Sequence, residues 1–183
     1  MPDQPSNTTS FQAFAAPARV LMGPGPSDVP ERVLRAMARP TIGHLDPAFT
    51  SLMEEIKALL RYAFRTRNEL TMPVSGPGTA AMECCVANLV EPGEKVVVCR
   101  NGVFGGRLKE MVERCGGEVV LVDEPWGRAV DPERLEAALG AHPDARLVAF
   151  VHAETSTGAL SDARTLVEIA RRHGCLTLVD AVT

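Results

Sequence analysis

Four short clusters in this chain combine residue types suited to holding a ligand. Ser75-Gly76-Pro77-Gly78-Thr79 lies between a run that reads as a strand and an apolar helix rich in small residues. Glycines at such a turn let the backbone approach a ligand, and a helix N-terminus offers free N–H donors and a partial positive charge, as a phosphate requires. The spacing is not that of a P-loop, G-x-x-x-x-G-K-[ST], and it is shorter than G-x-G-x-x-G. Taken alone, a Gly/Pro turn before a helix needs no ligand. Asn101-Gly102-Val103-Phe104-Gly105-Gly106-Arg107 follows a second apolar run. Phe104, flanked by glycines, either lays its ring against a flat ligand or packs in a core at a helix start. His152-Ala153-Glu154-Thr155-Ser156-Thr157-Gly158 is polar and follows a third, as a ligand-contacting loop or a capped turn. Asp180 ends the apolar run Cys175–Val179. A carboxylate there must be solvated, paired, liganded or used as a helix cap, because burying it alone is costly.

These clusters need elements to position them, and the apolar pattern supplies them. Asp46 reads as an N-cap with Pro47 at the first helical position. Behind it Phe49, Leu52, Met53, Ile56, Leu59, Leu60, Ala63 and Phe64 recur at three- and four-residue steps, an amphipathic helix of about five turns. From Glu69 the pattern predicts alternation: strand 69–74, helix 78–90, strand 95–99, helix 103–115, strand 118–122, a helix opened by Asp131-Pro132, strand 146–151, a helix capped by Ser161, and a last strand 175–182. Near-continuous apolar strands alternating with helices predict an α/β fold: a mostly parallel sheet with helices on both faces. In that architecture all four clusters stand at the carboxyl ends of strands, where ligands bind in open α/β sheets. A phosphate, a flat ring and a cationic ring nitrogen would all be met there, a combination that points to pyridoxal phosphate.

The composition fits an ordinary globular chain, with 45% hydrophobic and 23% charged residues among 183. A net charge of −4 gives no reason to expect nucleic acid or an anionic membrane as partner. No apolar run approaches the roughly 20 residues of a membrane span. The first cation is Arg19, so the opening stretch lacks the basic start of a signal peptide, and a cytoplasmic location is expected. The five cysteines (Cys84, Cys85, Cys99, Cys115, Cys175) have no disulfide or zinc spacing, and the four histidines form no ligand pair. No metal site is expected.

The ordered set of segments GPGPSDVPERV, TRNELTMPVSGPGTAAMECCVANLVEPGEKVVV, NGVFGGR, HAETSTG and CLTLVDAVT resembles the class V aminotransferases, above all the alanine–glyoxylate and serine–glyoxylate aminotransferases. The likeness runs from about Val20 to Thr183. It implies a fold-type I large domain, pyridoxal 5'-phosphate as cofactor, and a homodimer with shared active sites. It also implies transamination between a small amino acid, alanine or serine, and a 2-oxo acid, glyoxylate or pyruvate. Carried over to this chain, Pro77, Gly78 and Thr79 form the phosphate cradle and Phe104 stacks on the ring. Thr155 approaches the ring's 3-oxygen, Asp180 pairs with the ring nitrogen, and Val182 packs beneath the ring. The loop from Gly23 to Pro26 resembles a segment near the active site and subunit interface. Pro77 stands where relatives often have Ser, and Phe104 where many have Trp.

The resemblance also implies a lysine forming a Schiff base with the cofactor, beyond Thr183, together with the arginine that clamps the substrate carboxylate. The expected organisation is a flexible leader over 1–19, an N-terminal loop and helices forming a dimer-interface segment over 20–68, and the N-terminal portion of the cofactor-binding large domain over 69–183, truncated at its C-terminal end. An apolar strand closing the chain with nothing to cover it agrees with such a truncation. Other class V enzymes (desulfurases or lyases) and a non-catalytic α/β module binding a phosphorylated ligand remain the alternatives. NGVFGGR and HAETSTG favour the glyoxylate aminotransferases.

Overall fold

Every strand of the sheet alternates its apolar side chains between two faces, and each face is roofed by helices. The computed structural model describes residues 13–182. It divides into two compact units, Met1–Pro40 and Thr41–Thr183. The expected flexible leader falls, for residues 1–12, outside the described residues; residues 13–19 carry no regular structure. In the first unit α1 (Glu31–Met37) buries none of its residues. The second unit holds α2 (Pro47–Phe64), α3 (Gly78–Leu89), β1 (Lys95–Arg100), α4 (Val103–Arg114), β2 (Glu118–Asp123), α5 (Pro132–Ala141), β3 (Leu147–Val151), α6 (Ala163–Arg172) and β6 (Leu176–Asp180). A two-residue hairpin pair, β4 (Ala153–Glu154) and β5 (Ala159–Leu160), lies between β3 and α6.

The main sheet has the order β2-β1-β3-β6, all parallel, in register from Val96 beside Leu147 and from Leu147 beside Leu176. On one face Val97, Cys99, Val148 and Phe150 pack under α5 and α6 through Leu135, Leu139, Leu166 and Ile169. On the other, Val96, Val98, Leu147, Ala149 and Val151 meet Met82 and Val86 of α3 and Leu108 and Val112 of α4. All five residues of β3 are buried, as the interior strand of a doubly covered parallel sheet requires.

Local chemistry sets the element boundaries. Asp46 caps α2 by accepting from the Ala48 N–H at 2.8 Å, with Pro47 at the first helical position. Asp131 caps α5 through Glu133 N–H at 2.9 Å. Two expectations are corrected. Residues 69–74 form no strand: Pro73 lacks a donor, Leu70 and Met72 are exposed, and the Thr71 N–H closes a turn on Glu69 O instead of joining the sheet. The cap of α6 is Asp162, whose carboxylate accepts from Thr165 N–H at 3.3 Å and Thr165 Oγ1 at 2.7 Å. Ser161 is buried one residue earlier, and its Oγ accepts from Val130 N–H at 3.2 Å.

Candidate functional site

The strand order places the site. From β1 the chain moves through α4 outward to β2, and then returns past β1 to β3 on the other side, going on to β6. The loops leaving β1 and β3 therefore part in opposite directions and open a crevice at the carboxyl ends of those strands. Phe104 stands just after β1, Thr155 just after β3, and Asp180 at the end of β6.

Gly78, Thr79, Met82, Phe104, Thr155, Asp180 and Val182 line one cavity of about 120 Å³. Six of the seven residues anticipated from sequence are thus brought together. The seventh, Pro77, is the N-cap residue of α3 and stands outside the lining. Met82 was not anticipated; it sits one helical turn on from Gly78 and doubles as a core residue at 5% exposure. A larger apolar cavity of about 390 Å³ shares Gly78, Met82, Asp180 and Val182 and runs along β6 past Phe64 and Cys85.

The α3 end of the cavity is a helix start. No side chain caps this helix, because proline at the N-cap has no acceptor to offer, so its first N–H groups have no side-chain partner. A side chain on Gly78 would place its Cβ 2.7 Å from Val182 Cγ2. The absence of one is what lets the helix start and the segment after β6 meet. Thr79 Oγ1 accepts from Arg107 Nη1 at 2.7 Å.

Phe104 is held by backbone rather than by packing alone. Glu154, fully buried, accepts from the N–H groups of Phe104 and Gly105, both at 3.1 Å, and from Ser156 N–H at 3.2 Å and Ser156 Oγ at 2.7 Å. A carboxylate at a helix N-terminus is favourable twice over, through hydrogen bonds to orphan donors and through the helix dipole. Glu154 therefore fixes the first turn of α4, and with it the ring of Phe104, from the loop after β3. Gly105 lets that turn lie against β1, since a Cβ there would stand 2.9 Å from Arg100 Cα. The sequence signal for Glu154 was present but ambiguous: an acidic residue inside the polar cluster after β3 reveals its role only when α4 is set beside it. On its outer side the Phe104 ring meets the guanidinium of Arg107, whose Cζ is 4.9 Å from the ring centroid.

Asp180 is 9% exposed, and its Oδ1 accepts from Val182 N–H at 3.1 Å. A carboxylate this far from water at a cavity wall suits a cationic partner. The residues present fit a flat phosphorylated cofactor with a protonatable ring: an uncapped helix N-terminus with room for an anion, an aromatic face and a buried carboxylate. For two thiols the thiolate form is disfavoured. Burial, reinforced by Cys84, pushes Cys85 up, and burial with the nearby Glu124 pushes Cys99 up to about 12. Among the described residues no group of three or more His, Cys, Asp or Glu is placed to hold a metal ion. Nor is any helix among them long and apolar enough to cross a membrane.

The family model described as aminotransferase class-V matches residues 19–183. An alanine–glyoxylate aminotransferase of Drosophila melanogaster is 39% identical over 91% of this chain and 42% of its own length. Among solved structures, an alanine–glyoxylate aminotransferase from Nostoc sp. superposes with a TM-score of 0.91 at 45% identity, covering all of this chain and 48% of that one. A ureidoglycine–glyoxylate aminotransferase from Bacillus subtilis superposes with a TM-score of 0.90 at 37% identity, covering 93% of this chain and 44% of that one. The chain thus spans less than half the length of these relatives.

Proposed function

The chain belongs to the class V aminotransferases, and on that premise we propose that the whole protein is a pyridoxal 5'-phosphate-dependent aminotransferase. It moves an amino group between a small amino acid, alanine or serine, and a 2-oxo acid, glyoxylate or pyruvate. One observation carries this reading: an uncapped helix start, an aromatic ring and a buried carboxylate line a single cavity at the parting of β1 and β3. The names of the relatives support glyoxylate as the acceptor.

Each side chain then has a task. Gly78 and Thr79 would hold the phosphate on the first N–H groups of α3, with Pro77 shaping the turn that leads in. Phe104 would stack on the ring and Val182 would pack beneath it. Thr155 would approach the ring's 3-oxygen. Asp180 keeps a proton on the ring nitrogen, since a negative partner raises the basicity of that nitrogen. When bound, the cofactor supplies a cationic ring that draws electron density from the α-carbon of an amino acid.

The lysine that carries the cofactor is placed beyond Thr183. In support, none of the chain's three lysines lines the cavity. Lys57 pairs with Glu54 at 2.8 Å, Lys95 with Asp144 at 2.6 Å and Lys109 with Glu113 at 2.6 Å. Lys95 also starts β1, at the far end of the strand from the site. A homodimer is proposed because α2 buries none of its residues while Leu52, Leu59, Tyr62 and Phe64 stand exposed on it. Residues 20–68 would then be its interface segment and 69–183 the first part of the cofactor domain. A cytoplasmic location is proposed from five cysteines that are all unpaired.

The test uses the full-length protein. It is loaded with pyridoxal phosphate and assayed with alanine or serine against glyoxylate or pyruvate, and a second sample is reduced with borohydride and mapped by peptide mass spectrometry. Turnover with at least one pair, and a label on a lysine outside residues 1–183, are expected. No turnover with any pair, or stoichiometric label on Lys57, Lys95 or Lys109, overturns the reading.

A further inference from the structure

Arg107 is a cation behind the anion-binding end of the site with no acid assigned to it. Among the described residues it forms no salt bridge: of the two acids that line the same 250 Å³ groove, Glu110 turns to Arg114 at 3.6 Å and Glu83 stands beyond ion-pair distance of any cation. Its guanidinium instead spans two elements of the site: Nη1 donates to Thr79 Oγ1 on α3, and Cζ rests over Phe104 on α4. Thr79 is the wall between that groove and the 120 Å³ cavity, since it lines both.

The direction of that hydrogen bond is fixed. A guanidinium has only donors, so Arg107 occupies a lone pair of the Thr79 oxygen, and the hydroxyl keeps its single hydrogen to give elsewhere. The positive charge beside the oxygen turns that hydrogen away from the groove and makes it a stronger donor, because hydrogen bonds in a chain polarise one another. Among the described residues no acceptor takes it. That hydrogen is thereby left for an acceptor on the cavity side of Thr79, as an oxygen anion at the start of α3 would be.

We propose that Arg107 is a positioning residue that turns Thr79 into a hydroxyl donor for the phosphate end of the site, so that the cradle binds by a side-chain hydroxyl as well as by backbone N–H groups. This rests on the assignment of the cavity to pyridoxal phosphate. It separates two contributions of one side chain: contact with Phe104 acts on the ring, whether or not a phosphate is attached, whereas the bond to Thr79 acts on the phosphate alone. The ratio of the dissociation constants of pyridoxal and pyridoxal phosphate cancels the first and keeps the second.

The experiment measures both constants by equilibrium dialysis for the cofactor-free full-length protein and for Arg107→Ala, Thr79→Val, Thr79→Ser and the Arg107→Ala/Thr79→Val double variant, with far-ultraviolet circular dichroism to verify folding. Loss of a hydrogen bond to a charged group is expected to shrink the ratio about ten- to a hundredfold in Arg107→Ala and in Thr79→Val alike. The double variant should be no worse than the weaker single, because both remove one interaction. Thr79→Ser, which keeps the hydroxyl, should retain the unaltered ratio. A ratio unchanged in Arg107→Ala, losses that multiply in the double variant, or a Thr79→Ser protein as weak as Thr79→Val overturns the proposal. Failure of the unaltered protein to bind pyridoxal phosphate more tightly than pyridoxal overturns instead the assignment of the site on which it stands.

Discussion

At the scale of single residues the site depends on carboxylates in two different settings. Glu154 is spent inside the protein, on three backbone N–H groups and a hydroxyl. Asp180 accepts from the Val182 N–H and faces a cavity. The first holds an element still; the second is proposed to hold a cation. Asp180→Asn in the full-length protein should therefore preserve the fold while lowering transamination on the order of a thousandfold, since an amide has no charge with which to keep a proton on a ring nitrogen. Steady-state kinetics on the purified variant, beside an unchanged circular dichroism spectrum, is the check. Turnover within tenfold of the unaltered protein contradicts the role given to Asp180.

At the scale of elements the site is as good as the seating of α4, which carries Phe104 and Arg107. Leu108, fully buried one turn after Phe104, is the anchor that presses this helix on β1 and β3. Leu108→Ala should cost about 2–5 kcal/mol of stability, through lost transfer energy and the cavity left behind. Urea denaturation followed by circular dichroism measures it, and a loss below about 1 kcal/mol would place the seating of α4 elsewhere. The elements themselves were legible in the sequence because their signals are local. Valines and leucines in continuous runs announce β1, β2, β3 and β6, and Asp before Pro announces the starts of α2 and α5. What was not legible depended on distant partners. Residues 69–74 have strand-like composition but no neighbour to pair with. Ser161 has the right side chain for a cap, but its oxygen is taken by Val130, thirty-one positions away in the chain, leaving the cap to Asp162. Glu154 and Arg107 escaped for the same reason. Both lie in motifs that the sequence singles out, but the groups they hold are distant in the chain, on α4 and α3.

At the scale of the whole molecule charge sets an acid limit. Hydrogen bonds from Arg100 hold Asp123 below its usual 3.8, those from His173 and Arg172 hold Glu136 below 4.5, and that from Lys95 holds Asp144 below 3.8. A carboxyl whose folded value is depressed stabilises the fold at pH above its unfolded value, and that stability is lost as pH falls through the folded one. These pairs are exposed, so each contributes little and salt weakens it. Together they join β1 to β2, α5 to α6 and the start of β1 to the loop before β3. Stability should thus stay level from about pH 7 to 5 and decline below about pH 4, where unpaired carboxylates of the unfolded chain take up protons first. Urea midpoints across that range report it. A midpoint that rises on acidification would mean these pairs do not support the fold.

The order β2-β1-β3-β6 has a consequence for how the molecule comes into being. A ribosome releases β1 before any partner exists, but β2, β3 and β6 each emerge when the strand they lie beside has already been made. Growth outward from β1 never waits for sequence still to be translated, so each addition can fold as it appears, at the pace of synthesis. The crevice between β1 and β3 closes only when the third of these strands arrives, and Asp180 is delivered by the fourth. Among these four strands the edge that carries Asp180 is therefore the last to be completed, built on strands whose packing is already in place.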